Sequence, residues 1–124
     1  MKPFESFESF YPYYLSEHRH GPCRLLHFIG TSGVIGLLMC ATLMGNWALA
    51  ALCPIVGYGF AWVGHFVFEK NRPATFTYPL WSLRGDFVMF ADILLGDVPL
   101  LGDLPEQHFA KQIEAYRLKE VKAD

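Results

Sequence analysis

The stretch that decides the fold runs from Phe28 to Phe68 and reads FIGTSGVIGLLMCATLMGNWALAALCPIVGYGFAWVGHFVF. Its 41 residues contain no Asp, Glu, Lys or Arg, and its one imidazole belongs to His65. A helix crosses the hydrocarbon core of a bilayer with about 20 apolar residues, so this stretch is long enough for two crossings. Gly45 and Asn46 lie near its middle and are typical of a tight turn. The sequence therefore predicts a transmembrane helical hairpin.

We expect the first transmembrane helix over residues 25–44 and the second over residues 47–71. Pro54 is expected to kink the second helix. The alternative is a soluble hairpin buried in an oligomer, although lipid covers two apolar runs on all sides more readily. Small residues along the first helix would allow close packing on a neighbouring helix; these are Gly30, Gly33, Gly36, Ala41 and Gly45.

The composition also favours a membrane protein and excludes several other classes. Hydrophobic residues make up 52% of the chain and charged residues 18%, whereas a soluble domain carries about 25% charged residues. The net charge of -2 offers no basic surface for a nucleic acid. The three cysteines form no CxxC pair, which argues against a disulfide framework and a zinc ribbon.

Basic residues flank the open end of the predicted hairpin and are absent from its turn. By the positive-inside rule, this asymmetry predicts an integral protein of the bacterial inner membrane or endoplasmic reticulum type, with both termini in the cytoplasm. The flanking residues are Arg19, Arg24, Lys70, Arg72 and Arg84.

The whole chain is predicted to be a single all-α, membrane-embedded domain with four parts. Its aromatic-rich N-terminal arm suits either an interfacial belt or a face packed on the helix bundle. The four parts are the interfacial arm (1–24), the transmembrane hairpin (25–71), a re-entrant or interfacial segment (72–101) and a cytoplasmic tail helix (102–124).

Glycine and proline residues predict the boundaries of the shorter helices. Gly21-Pro22 is expected to end an arm helix that covers about residues 10–19. Residues 73–85 are expected to form a loop at the membrane surface. A helix of about ten residues should follow, capped by Asp86 and closed by Gly96.

Three histidines that are distant in sequence can meet in this topology. His27 begins the first apolar run and His65 lies near the end of the second, so antiparallel helices bring both to one membrane face. The break at Gly21-Pro22 lets the arm return His18 to the same place. Glu69 follows His65 at i+4 on one helix face. Imidazoles with at most one carboxylate suit iron, zinc or copper, and open positions on the ion favour redox or hydrolytic chemistry.

Each of these residues also has a simpler interpretation. His65 can be a hydrogen-bonded packing residue, and His27 can be an interfacial one. Glu69 can pair with Arg72 at i+3, and His18 can belong to a basic strip beside the membrane. The spacing leaves open whether the site takes further ligands, namely His20 and Asp86.

Two blocks of the chain resemble a family of small multi-pass membrane proteins, the Mpo-type 2-hydroxy fatty acid dioxygenases. The first block is YYLSEHRHGPCRLLHFIGT, which contains His18 and His27. The second is GYGFAWVGHFVFEKNRPATFTYPLWSL, with the motif GHxxFExNRPA around His65. The resemblance covers about residues 7–95. It implies ferrous iron at His18, His27 and His65, and a role in fatty acid α-oxidation.

The reaction that the resemblance implies suits a chain without a nucleotide-binding loop. Oxidation of a 2-hydroxy acid by O2 to the acid one carbon shorter, with CO2 and water, needs no cosubstrate, because the substrate supplies all four electrons. The hydroxyl and carboxylate can chelate the iron while the acyl tail lies among apolar helix faces. Arg72 and Arg84, together with Lys70, are placed to attract the carboxylate.

Two other functions remain open at this stage. One is a haem-binding electron-transfer membrane protein with His27 and His65 as axial ligands. The other is a non-catalytic membrane adaptor in which the histidines are structural. Assembly into a homo-oligomer is compatible with each of the three.

Overall fold

The computed structural model describes residues 4–104, which form helices joined by turns and loops, with no β-strand in that range. The all-α fold class is therefore confirmed. The predicted tail helix lies outside the described residues from residue 105 onwards. The four α-helices are α1 (Phe7–Ser16), α2 (Gly21–Met44), α3 (Cys53–Val63) and α4 (Pro79–Leu95).

Helix α2 is the first of the two predicted long helices, and the turn after it is where the sequence placed it. It begins at Gly21, earlier than predicted, because Pro22 lies in the first turn, where its missing N–H costs no hydrogen bond. It ends at Met44, after which Gly45 adopts the left-handed conformation with φ of 62°. The side chain of Asn46 then caps the next segment.

The second apolar run is helical throughout, but in three successive geometries. Pro54 lies in the first turn of α3, so a change of helix type stands where we predicted a kink within one continuous helix. Lys70 adopts φ of 58° and ends the run two residues earlier than predicted. The three segments are a 3-10 helix (Trp47–Leu52), α3 and a π-helical turn (Gly64–Glu69).

Helices α2 and α3 approach each other closely at two glycines. A Cβ atom on Gly30 would lie 3.2 Å from Cβ of Phe60, and one on Gly33 would lie 2.8 Å from Cγ1 of Val56. Gly36 has no such neighbour within 4 Å. The predicted close-packing role is therefore confirmed for the first two glycines and wrong for Gly36.

Both long helices expose most of their apolar side chains. Only 22% of the residues in the most apolar part of α2 are buried, and 17% of those in the most apolar part of Trp47–Glu69. Leu43 is 83% exposed and Ile55 is 70% exposed. A core helix of a soluble protein would bury such a face. Residues 4–104 thus contain two helices long and apolar enough to cross a membrane, and their exposure favours membrane association.

Helix α1 packs against α4 through aromatic side chains. Its buried Phe7, Phe10 and Tyr14 join Met89 of α4 in one cluster. Gly85 permits this contact, because a Cβ atom there would lie 2.9 Å from the ring of Tyr14. Of the two predicted interpretations of the aromatic arm, packing on the bundle is the one observed for these residues.

The bounds of α1 also differ from the prediction. The helix begins at Phe7 because Ser6 and Ser9 form a capping box, each side chain satisfying a backbone amide of the other residue. It ends at Ser16, so a short turn rather than helix carries residues 17–20 to Gly21.

Helix α4 begins well before the residue that we predicted as its cap. Pro79 lies in its first turn and Asp86 lies in its middle, so the prediction that Asp86 caps the helix is wrong. The predicted loop over residues 73–85 is accordingly helical from Pro79, and α4 has 17 residues rather than about ten. Its predicted end is confirmed, since Gly96 adopts φ of 83° directly after Leu95.

The residue Arg24, one of the basic residues at the open end of the hairpin, is fully buried. It joins the start of α2 to the turn before it and to the loop after α4. Because one side chain donates hydrogen bonds to backbone carbonyls of these separate segments, the group acts as a structural clamp. The acceptors are the carbonyl oxygens of His18, Arg19, Pro99 and Gly102.

We expect Arg24→Met to lower the free energy of unfolding by about 2–3 kcal/mol, because the buried carbonyl of His18 loses its donor and three partly buried hydrogen bonds are lost with it. Chemical unfolding in detergent micelles measures this loss. Arg72→Met is the control, because the exposed Arg72 lies over the ring of Phe76 and should contribute less than about 1 kcal/mol. Equal losses in the two variants would contradict the clamp.

Candidate metal centre

The three predicted histidines come from three different elements and meet in one place. His18 lies in the turn after α1, His27 in the second turn of α2, and His65 in the π-helical turn. Nε2 of His18 is 3.0 Å from Nε2 of His27 and 3.0 Å from Nε2 of His65. All three rings are buried, with at most 4% of each residue exposed. The predicted meeting of the arm with both ends of the hairpin is thus observed.

Backbone carbonyls determine the tautomers of the first two rings. Nδ1 of His18 lies 2.6 Å from the carbonyl oxygen of Tyr14. Nδ1 of His27 lies 2.9 Å from the carbonyl oxygen of Cys23. A carbonyl oxygen only accepts hydrogen bonds, so each Nδ1 carries the proton and each Nε2 carries a lone pair.

Asn71 determines the tautomer of the third ring. Its Oδ1 lies 2.7 Å from Nδ1 of His65. Its Nδ2 donates to the carbonyl oxygen and to the carboxylate of Glu17. Because the amide nitrogen must face these acceptors, the amide oxygen faces the ring, and Nδ1 of His65 must donate to it.

Three Nε2 lone pairs therefore converge on one buried point. Burial, together with the neighbouring rings of His27 and His65, holds the pKa of His18 well below its ordinary value, so that this ring is neutral. Lone pairs about 3 Å apart with no proton between them repel one another, and a cation at the point where they meet removes the repulsion. Neutral imidazoles oriented through Nδ1 by an oxygen acceptor are the usual donors of protein metal sites.

The spacing and the available space fit a single ion. Two nitrogen ligands at about 2.1 Å from one ion and at right angles to each other are about 3.0 Å apart. The rings border a cavity of about 10 Å³, which is close to the smallest volume that holds one water molecule. A porphyrin does not fit between rings this close, so the geometry does not favour haem.

A close contact between α2 and the π-helical turn brings His65 to His27. A Cβ atom on Gly64 would lie 3.0 Å from Sγ and 3.2 Å from Cα of Cys23, so a larger residue would push the two elements apart. The wide turn then closes with the amide of Asn71 donating to the carbonyl of His65, 3.1 Å away. π-helical turns are often found at functional sites, and this one places the Asn71 side chain against the ring.

Cys23 is a further candidate ligand that the sequence analysis missed. Its Sγ lies 3.7 Å from Nδ1 of His27. The possible ligand atoms of Cys23 and the three histidines all lie within 4.8 Å of one another. The thiol borders His27 on the Nδ1 side of the ring, however, and not on the side of the converging Nε2 atoms. The signal for it in the sequence is the CxxxH spacing, which puts Cys23 and His27 on one helix face.

The structure does not bring Glu69 into the converging group. Its carboxylate accepts a hydrogen bond of 2.5 Å from the backbone amide of His20 and lies 3.9 Å from Nε2 of that residue. The ring of His20 also lies 3.3 Å from the carboxylate of Asp103. Glu69 thus holds the turn that carries His18 through the backbone amide of His20, and it lies outside the group of three rings.

Arg72 and Arg84, which we predicted to attract a carboxylate, lie over aromatic rings. Cζ of Arg72 is 5.2 Å from the ring centre of Phe76, and Cζ of Arg84 is 4.2 Å from that of Phe7. Among the described residues, neither arginine borders the small cavity at the histidines or the larger apolar cavity beside it. Both cations therefore stabilise the packing of these rings.

Asp86 borders both of these cavities. The hydroxyl of Tyr14 donates a hydrogen bond to its Oδ1, and the ring of Tyr14 stacks on His18 with 4.1 Å between ring centres. Burial raises the pKa of Asp86 to about 7, and the hydrogen bond from Tyr14 partly offsets this effect. A residue predicted as a helix cap is thus a titratable group beside the site.

In the metal-free protein we expect Asp86 to make the folded state less stable as the pH rises from about 4 to 7. Its pKa is higher in the folded than in the unfolded protein, so the folded state binds the proton more tightly and loses free energy as the group ionises. The Asp86→Asn variant lacks this titration and should gain stability relative to wild type across that range. Unfolding curves recorded at stepped pH in detergent measure the difference.

The control for the Asp86 experiment is Asp92→Asn. Asp92 also accepts a hydrogen bond from a tyrosine of α1, with 2.7 Å between its Oδ2 and Oη of Tyr11. Its replacement therefore shows how much stability is lost when a tyrosine–aspartate hydrogen bond between α1 and α4 is removed. Parallel pH profiles for wild type and Asp86→Asn would contradict the raised pKa.

We expect Asn71→Leu to weaken metal binding by roughly 10–100-fold, because His65 loses the acceptor that fixes its tautomer. Competition with a chelating dye, using ferrous or cobaltous ion, measures the affinity. Asn71→Gln keeps both the amide oxygen that accepts from the ring and an amide nitrogen that can donate to Glu17, and should bind the ion more tightly than Asn71→Leu. If the two variants bound equally well, the orienting role of Asn71 would be refuted.

The site lies within the part of the chain that resembles a known family. Residues 4–98 match the family described as 2-hydroxy-palmitic acid dioxygenase Mpo1-like. No curated protein and no solved structure shows a significant match to this chain. The family match spans most of the sequence and includes all three converging histidines. The chain therefore belongs to the 2-hydroxy-palmitic acid dioxygenase Mpo1-like family.

Proposed function

We propose that this protein is a ferrous-iron-dependent dioxygenase of fatty acid α-oxidation. It converts a 2-hydroxy fatty acid and O2 into the fatty acid one carbon shorter, CO2 and water. The observation that carries this proposal is the group of three buried, neutral imidazoles whose Nε2 atoms converge beside an apolar cavity. The family description supports a fatty acid substrate and a dioxygenase reaction.

In this proposal His18, His27 and His65 hold the iron through Nε2. Nitrogen ligands of this kind also suit zinc, but zinc carries out no redox chemistry, so the oxidative reaction of the family favours iron. A ferrous ion held by these residues would supply redox chemistry with O2 and a Lewis acid for the hydroxyl and carboxylate of the substrate. Glu69 acts at a distance from the ion, because its carboxylate is engaged with His20.

The proposed reaction balances without a further reductant. The bond between the carboxyl carbon and the hydroxyl-bearing carbon breaks, and both carbons are oxidised. The carboxyl carbon leaves as CO2, and the hydroxyl-bearing carbon becomes the new carboxyl group. The substrate loses four electrons and O2 accepts all four, so that one water molecule forms for each O2 consumed.

The side chains around the histidines prepare the site for this substrate. Burial of the rings excludes bulk water, which strengthens every electrostatic interaction within the site. Asp86 lies where the small cavity joins the apolar one. With a pKa of about 7, it can donate or accept a hydrogen bond near neutral pH, and Tyr14 holds it in place.

The proposed location is an inner membrane of bacteria or a membrane of the endoplasmic reticulum type. Both termini would face the cytoplasm, as the basic residues at the open end of the hairpin predict. An iron site at this end lies at the membrane surface, where the polar head of a membrane-dissolved acid would be found.

A non-catalytic adaptor is the alternative that keeps the same fold. It gives no reason for three lone pairs to face one another in a dry site, because a purely structural histidine satisfies both ring nitrogens with protein partners. We therefore rank the adaptor below the enzyme.

We expect the purified protein, loaded with ferrous iron in detergent or nanodiscs, to convert 2-hydroxyhexadecanoate in air into pentadecanoate. Mass spectrometry detects the acid, and an oxygen electrode should record one O2 consumed for each CO2 released. The zinc-loaded protein should give no product. His18→Ala, His27→Ala and His65→Ala should each lose bound iron and activity together, because each removes one of three nitrogen donors.

His20→Ala is the matched control, since this half-exposed imidazole lies two residues from His18 and its ring faces Asp103 instead of the site, while alanine keeps the backbone amide that Glu69 binds. It should retain both iron and activity. A folded, iron-loaded protein that gives no product from any 2-hydroxy acid would overturn the proposed reaction. Unchanged iron content in all three histidine variants would favour the adaptor.

A further inference from the structure

A cavity of about 260 Å³ lies between α2, α3 and α4, next to the candidate metal centre. Most of the side chains around it are apolar. It shares four bordering residues with the small cavity at the three histidines, so the two spaces adjoin. The shared residues are His27, Tyr58, Ala61 and Asp86.

The bordering residues show how far the cavity extends from the metal centre. On α2 they are His27, Thr31 and Val34, which follow one helix face at i, i+4 and i+7. At 1.5 Å per residue, the cavity therefore runs about 10 Å along α2 away from the rings. On the antiparallel α3, Ala61 lies at the metal end and Cys53 at the far end. Sγ of Cys53 is 3.8 Å from the carbonyl oxygen of Val34, so these two residues meet at the far end.

Small side chains keep this space open. Gly57 and Ala61 form part of the wall on α3, and Thr31 forms part of the wall on α2. A well-packed apolar interior avoids empty space, because voids cost stability. An apolar cavity that adjoins a few polar groups is the usual form of a small-molecule site. The two most polar residues on its border, His27 and Asp86, both lie at the metal end.

We propose that this cavity binds the part of the substrate's acyl tail nearest the polar head, and that Val34 and Cys53 determine whether a longer tail can continue past its far end. The proposal rests on the proposed function, since it places the polar head of the acid at the three histidines. An extended apolar chain suits a space that is polar at one end and apolar along the remaining length. The far-end residues are then specificity-determining residues for the same reaction.

Binding of 2-hydroxy acids of different length tests this assignment. The zinc-loaded protein binds the head without turnover, and displacement of a fluorescent fatty acid measures affinity. Each buried methylene contributes about fourfold to affinity. Val34→Phe removes space for several methylenes, so it should lower the affinity for 2-hydroxyhexadecanoate by at least about tenfold. The affinity for 2-hydroxyoctanoate should change by less than about twofold, because the shorter tail leaves the far end empty.

Ile55→Phe is the matched control for this substitution. It adds a ring of the same size to an apolar position in α3, close to Cys53, but the side chain of Ile55 points away from the protein and is 70% exposed. Its affinities for both acids should equal those of wild type.

Labelling of Cys53 provides a second readout in a protein with an unaltered cavity. Cys53 is partly buried, Cys23 is buried and Cys40 is exposed, so a Cys40→Ala background leaves Cys53 as the main target of a maleimide. 2-Hydroxyhexadecanoate should slow its alkylation several-fold, whereas 2-hydroxyoctanoate should have little effect. This readout remains valid if Val34→Phe fails to fold.

The two proposals fail in different ways. A length-dependent loss of binding in Val34→Phe, with protection of Cys53 by the long acid but no product, would support the tail site and overturn the proposed reaction. Product formation with unaltered length preference in Val34→Phe, and with no protection of Cys53, would overturn the tail site and leave the reaction standing.

Discussion

The convergence of three neutral imidazoles in a buried space is the constraint on which this structure depends. A buried polar atom needs a partner. Each Nδ1 has one in the protein, whereas the Nε2 atoms have only one another. Because each lone pair is held in place by an acceptor on the opposite side of its ring, the rings cannot relieve their repulsion by exchanging tautomers. A bound cation is the physical solution to which this arrangement points.

The surrounding structure serves to keep the rings in place. Arg24 holds the turn that carries His18 through that residue's own carbonyl oxygen, and Glu69 holds the same turn through the amide of His20. Gly64 allows the third ring to approach the second. These contacts use backbone groups and close approach, so the three rings are positioned by residues outside the converging group. An arrangement built in this way loses its geometry when a neighbour is replaced, even though all three histidines remain.

The architecture also places two different environments side by side. The arm and the ends of the hairpin form a polar, buried centre, while the facing sides of α2, α3 and α4 enclose apolar space next to it. Exposed apolar side chains on the outer faces of the long helices favour lipid contact. In the function that we propose, a membrane-dissolved acid would thus reach a site whose two halves match the two halves of the molecule.

Local properties of the sequence were enough to predict the hairpin, the turn at Gly45, the close packing at Gly30 and the meeting of the three histidines. Exclusion of charge over 41 residues and the antiparallel return of a hairpin follow from the chain without knowledge of its partners. The bounds of α4 were predicted incorrectly, because Pro79 suits either a loop or the first turn of a helix, and only packing against α1 distinguishes the two.

The tertiary structure alone decided which polar groups surround the rings. Burial of Arg24, the turn of Asn71 towards His65 and the engagement of Glu69 with His20 each depend on a partner that is provided by a different element. Spacing along one helix shows which residues share a face. It does not show which carbonyl, amide or carboxylate from another part of the chain will lie against them. The free energy of these buried contacts depends on that partner group.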